Sequence, residues 1–228
     1  MESKLEDIKK ILLEKSSTKQ LAYRNTREVF VQLKEQLKNL TTELSGEIYQ
    51  VDPNVEIKYY DKSDLEVHLK FSGDTLVFMM HTNVFDFEPN HFIPKSKYVH
   101  EDPMREYCGM IQMYNFLADS IKYNREGDQG YLVGRIFINK DKHFFIEGKR
   151  PLSFIYNDFE NCIITDASLK NVIIEAMYYC INFDLLAPPI DVANYITVEQ
   201  KNQMNFSGGV PIAKRLGFRK ENEKENGE

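Results

Sequence analysis

Tyr131-Leu-Val-Gly-Arg-Ile-Phe-Ile138 and His143-Phe-Phe-Ile-Glu-Gly148 are two β-branched and aromatic runs on either side of the polar turn Asn139-Lys-Asp-Lys142. If Arg135 lies opposite Glu147, Ile136 falls opposite Ile146 and Ile138 opposite Phe144. One register then sorts the apolar face and makes a charge pair at the same time. A slip by one residue would mix the two faces. The stretch therefore reads as an antiparallel hairpin.

The same period of two occurs upstream. Val55, Ile57 and Tyr59 alternate with Glu56, Lys58 and Tyr60, and Leu65 to Phe71 alternates after the turn Asp61-Lys-Ser-Asp64. Thr75 to Met80 is apolar on both faces, as a strand covered on both sides would be. Ahead of this meander the period is helical. Leu5, Ile8, Ile11 and Leu12 share a face of a short helix that Ser16-Ser17-Thr18 interrupts, and Ser17 with Gln20 has capping-box spacing for a second helix. Phe30, Leu33, Leu37, Leu40 and Leu44 repeat at 3, 4, 3, 4, with Thr26 weakening the position before them, and Ser45-Gly46 supplies a stop.

Between the meander and the hairpin, residues 86–102 carry prolines and no period, which predicts a long irregular connection. Tyr107, Met110, Ile111, Tyr114, Leu117 and Ile121 return at helical spacing, which predicts a helix from Met104 to about Lys122. After the hairpin, Pro151–Tyr156 and Asn161–Thr165 are strand candidates. Asp166 caps a helix with the stripe Leu169, Val172, Ile173, Ala176, Met177, Cys180 and Ile181. Pro188-Pro189 breaks the chain, Val198–Met204 reads as a helical turn, and the charged end reads as disordered.

The expected fold class is α+β: antiparallel β-meanders forming one sheet, helices packed mainly on one face, and a long N-terminal helical segment. Residues 1–206 form a single domain in this reading, with the N-terminal helices in 1–46 and the sheet-containing core in 47–206. Residues 207–228 are a flexible charged tail. This order of elements is similar to small-molecule sensor folds of the GAF and PAS type, although no motif carries the likeness. Such a sensor would hold an apolar ligand between the sheet and the Met104–Lys122 helix.

The 228 residues are 42% hydrophobic, which is ample for a core, and the formal charge of −6 argues against a nucleic-acid binder with a basic field over its whole surface. The charged N-terminus and the lack of a long apolar run predict a soluble cytoplasmic protein with no membrane partner. Cys108, Cys162 and Cys180 are an odd, widely spaced set and read as reduced thiols.

No catalytic constellation emerges from local spacing. Glu147-Gly-Lys149 resembles the Glu-x-Lys of metal-dependent nucleases, but Asp128 lies seven residues from Arg135, roughly 20 Å along the strand. His81, His91 and His100, with acids around them, are the metal candidates for a hydrolase or nuclease built on the His81–Asp102 loop, though without a tight ligand motif. The segment Lys214–Lys220 is basic, but the glutamates that follow offset its field.

The leading expectation is a non-catalytic binding or adaptor protein without a cofactor, acting through a protein partner, self-association or a small ligand. Phe30, Leu33, Leu37, Leu40 and Leu44 are the candidate interface, although packing of the helix on the protein's own sheet needs just such a stripe and pairing of two long helices in a dimer is the alternative. Spacing alone leaves open whether the chain is an enzyme, because distant residues can assemble a site.

Overall fold

The structure is a computed structural model that describes residues 2–183 together with residue 198. It begins with one long helical rod: α1 (Glu2–Ile11), a π-helical turn (Leu12–Ser16) and α2 (Ser17–Val51). The expected break at Ser16-Ser17-Thr18 does not occur. Ser16 is helical (φ −70°, ψ −38°) and makes no side-chain cap, while the Ser17 hydroxyl donates back to the Leu12 carbonyl at 3.3 Å. With no proline or glycine in this stretch, the chain widens into a π turn instead of ending the helix. Gly46 does not stop the helix either. It ends where Asp52, ahead of Pro53, is pushed into extended backbone (φ −147°, ψ 112°).

Among the described residues six strands follow, β1 (Ile57–Ser63), β2 (Glu66–Phe71), β3 (Asp74–Met80), β4 (Gly109–Leu117), β5 (Tyr131–Ile138) and β6 (Phe144–Gly148). They form a single sheet in sequence order, each antiparallel to its neighbours. The β5–β6 register is Arg135↔Glu147, Ile136↔Ile146 and Ile138↔Phe144, as the alternation requires. The connection from β3 to β4 contains α3 (Lys97–Glu101) and a 3-10 turn (Pro103–Glu106). Single-turn α4 (Ala118–Lys122) and α5 (Leu152–Ile155) follow β4 and β6, and α6 (Asp166–Ile181) closes the described core.

Three expectations are corrected here. The Met104–Lys122 helix is instead the 3-10 turn, strand β4 and α4. Met110, Ile111 and Met113 are all buried because β4 is covered on both faces, and an apolar run of that kind satisfies helical spacing by density alone. The sensor-like ligand position beneath that helix therefore does not exist. Residues 151–165 hold the short α5 and an isolated bridge between His143 and Ile163, not two strands. The carbonyls of Tyr156 and Cys162 accept from the N–H groups of Ile146 and Phe144 at 2.8 and 2.9 Å, so the free edge of β6 is covered. The cap of α6 is Thr165, which forms a reciprocal capping box with Ser168. The readings at Pro188-Pro189, Val198–Met204 and the charged tail lie outside the described residues, apart from residue 198.

One face of the sheet carries the main core. Val29, Phe30, Leu33 and Leu37 of α2, with Leu169, Val172, Ile173 and Ala176 of α6, pack on Leu69, Phe78, Ile111 and Ile136. Each of the larger side chains contributes about 1.5–3 kcal/mol by leaving water. The opposite face is covered only in part. Ile93, Tyr98, Val99, Phe159 and the half-buried Phe85 and Phe87 close over Met110, Phe137 and Phe145 of β4–β6, and the β1–β3 half of that face lies beyond this cover.

Candidate functional site

Register determines what the uncovered half presents. On the face away from α2, pairing aligns Lys58, Lys70, Thr75 and Phe116 in one row across β1–β4, and Tyr60, His68, Val77 and Tyr114 in the next. Period-two alternation puts Lys58 and Tyr60 on this face of β1, while Tyr59 turns to the helical side and joins its core. Of these rows Lys58, Tyr60, His68, Lys70 and Thr75 line a groove of about 440 Å³, together with Glu56, Lys62 and Lys122. Lys122 reaches it from α4, placed there by the Leu117↔Asp74 pairing at the end of β4.

The groove is locally cationic in a chain of net charge −6: among the described residues that line it four are lysines, and Glu56 is the single carboxylate. Both Lys58 and Lys70 donate to the Glu56 carboxylate at 2.6 Å. Those two hydrogen bonds hold its acid well below the usual carboxylate range, at about 2, and the Lys58 ammonium is raised in turn. The Lys62 ammonium lies 5.4 Å from the centre of the Tyr60 ring. A hydrogen bond to Tyr123 chiefly raises the Lys122 ammonium, and the charge of Glu56 acts in the same direction.

His68 lies beneath these cations and is 5% exposed. Its Nε2 donates to the Glu66 carboxylate at 2.5 Å, so Nδ1 carries the lone pair, and that buried atom has no hydrogen-bond partner among the described residues. Burial pushes the imidazole below its ordinary value, and Glu66 only partly opposes the shift.

The residues selected from spacing lie elsewhere. Phe30, Leu33, Leu37 and Leu40 are buried in the core, and Leu44 packs against its edge. The interface reading of these five is therefore corrected, because the stripe is the face by which α2 docks on its own sheet. Ahead of α2, the rod leaves Leu5, Ile8, Ile11, Leu12 and Leu13 at least half exposed.

His81, His91 and His100 do not converge. His91 Nε2 donates to Glu147 at 2.8 Å, its Nδ1 accepts the Ile93 N–H, and its ring stacks on Phe87. His81 Nδ1 accepts the Asn83 N–H, and His100 is exposed on α3. Among the described residues no group of three or more His, Cys, Asp or Glu side chains is placed to hold a metal ion. Glu147 is taken up by Arg135 and His91, which together tie the 81–102 connection to the hairpin. Cys108 and Cys180 are buried and Cys162 is half-buried, all three as free thiols.

Sequence reasoning missed the lysine groove. Its signal was the alternation of Lys58, Tyr60 and Lys62 on one strand with His68 and Lys70 on the next, which is also the pattern of an ordinary wet sheet face. Only register brings Lys58 opposite Lys70, and only the true course of residues 109–122 brings Lys122 to them.

No family model, no curated protein and no solved structure matches the chain. Among the described residues no helix is long and apolar enough to cross a membrane.

Proposed function

We propose that this chain is a non-catalytic binding protein whose ligand is an anion received on the uncovered half of the sheet, between Lys58, Lys62, Lys70 and Lys122. The observation that carries this reading is the charge imbalance of the groove, four lysines against Glu56 in an acidic chain. Packing four ammonium groups round one concavity costs self-repulsion, which an entering anion removes. The pair that Lys58 makes with Glu56 is exposed and weak, while the Lys70 pair is half-buried, so a more highly charged ligand displaces that carboxylate first from Lys58. A sheet gives the lysines a rigid base, which lowers the ordering cost of binding.

Calorimetric titration with inorganic pyrophosphate tests the reading. The expected result is saturable binding that weakens as salt rises and falls at least roughly tenfold in Lys58→Gln/Lys70→Gln, given that hydrogen bonds to charged groups are the strong ones. Absence of binding, or equal binding by the double variant, overturns it.

A further inference from the structure

The groove is not uniform along its length. At one end Lys58 and Lys70 converge on the Glu56 carboxylate, and Lys122 lines the same groove. Two residues along β1, about 7 Å at the strand rise, stands Tyr60, 40% exposed on the same floor, and beyond it Lys62 rests against the Tyr60 ring. We infer that the ligand is a nucleoside polyphosphate, with its phosphates among Lys58, Lys70 and Lys122 and its base on the Tyr60 ring. This inference rests on the anion-binding reading of the same groove and goes further by giving the ligand two unlike ends.

Three features carry it. First, the Glu56 carboxylate already occupies the position of a phosphate, since it accepts from two ammonium groups at 2.6 Å each. A diphosphate bears more charge than the carboxylate it displaces and uses Lys122 as well. Second, the exposed Tyr60 ring already receives a cation on its π surface. A flat heterocycle can take the place of Lys62 there, and Lys62 can then meet either the base edge or the ribose. Third, Lys58 and Tyr60 stand two residues apart on one strand, so the backbone sets the distance between the positions that carry the two ends. A lone phosphate would use the lysine end and leave Tyr60 idle.

The test compares inorganic pyrophosphate with ADP by calorimetry at fixed ionic strength. The inference expects ADP to bind roughly tenfold tighter than pyrophosphate, the size of one base–aromatic stack. Tyr60→Leu should remove that advantage and leave pyrophosphate unchanged. Glu56→Gln should tighten both ligands several-fold by removing the internal competitor, and Lys58→Gln/Lys70→Gln should weaken both. Circular dichroism of each variant checks that the exposed substitutions leave the fold intact.

Pyrophosphate binding that depends on the lysines, with ADP no tighter or Tyr60→Leu without effect, overturns the nucleotide inference and leaves the anion groove standing. A single-stranded oligonucleotide that binds with Tyr60 dependence where ADP does not overturns the inference in favour of nucleic acid. Failure of both pyrophosphate and ADP to bind the wild-type protein overturns the two readings together.

Discussion

Thr26 lies so close over Gly109 that a Cβ built on the glycine would fall 2.1 Å from the threonine Oγ1 and 2.8 Å from its Cβ. The hydroxyl is turned back to donate to the Ala22 carbonyl at 2.8 Å, so a polar residue is buried on α2 without an unmet bond. This is where the rod crosses the start of β4, and it explains why the apolar stripe of α2 is interrupted at Thr26.

Gly109→Ala should therefore destabilise the fold by roughly 1–3 kcal/mol or more, as overpacking in a rigid core does. Urea denaturation measures it. Thr26→Ala in the same chain should recover part of the loss, because the nearest clashing atom is then gone and the two sites are coupled. An unchanged midpoint in Gly109→Ala would rule out the close crossing.

Leu37 is completely buried between α2 and the sheet. Leu37→Ala should cost about 2–5 kcal/mol, the range for a core leucine, and sedimentation of the folded variant should match the wild type. Leu37→Glu should fail to fold, since a carboxylate would have no partner there. A Leu37→Glu protein that keeps its sheet and merely dissociates from a dimer would show that the stripe serves association and not the core.

Much of the fold was legible where the period was unambiguous. The β5–β6 register followed from the alternation of Arg135, Ile136 and Ile138 against Glu147, Ile146 and Phe144, and the stripe of α6 was visible from its spacing. Legibility failed where burial on both faces erased the period. β4 is apolar at Met110, Ile111 and Met113 whichever way its side chains point, so helical and extended readings fit equally. It failed again where a marker residue had another use, as Ser17 did by bonding back to Leu12. The groove was less legible than the fold, because Lys58 and Lys70 are twelve residues apart and Lys122 fifty-two beyond Lys70, and nothing local joins them.

Glu147 accepts from both Arg135 and His91, and His91 belongs to the long connection after β3. Glu147→Gln keeps the shape and removes the charge from both bonds. The expected cost is about 1 kcal/mol, with faster amide exchange in residues 86–96 and little change in β5 or β6. Unchanged exchange in that segment would mean that the aromatic packing of Phe87 and Phe92 holds it without the carboxylate.

His68 gives the fold a pH dependence of definite sign. Its imidazole is lowered in the folded protein by burial, while in the unfolded chain it titrates near the ordinary value of about 6.5. Between those two values the unfolded chain holds the proton and the folded chain does not. The contribution of His68 to stability is therefore complete above about pH 7 and declines as pH falls through 6.5 toward the folded-state value. Urea denaturation of wild type and His68→Gln at a series of pH values isolates this effect, because the stability difference between them should shrink on acidification. A difference that stays constant from pH 7.5 to 5.5 would exclude His68 as its source.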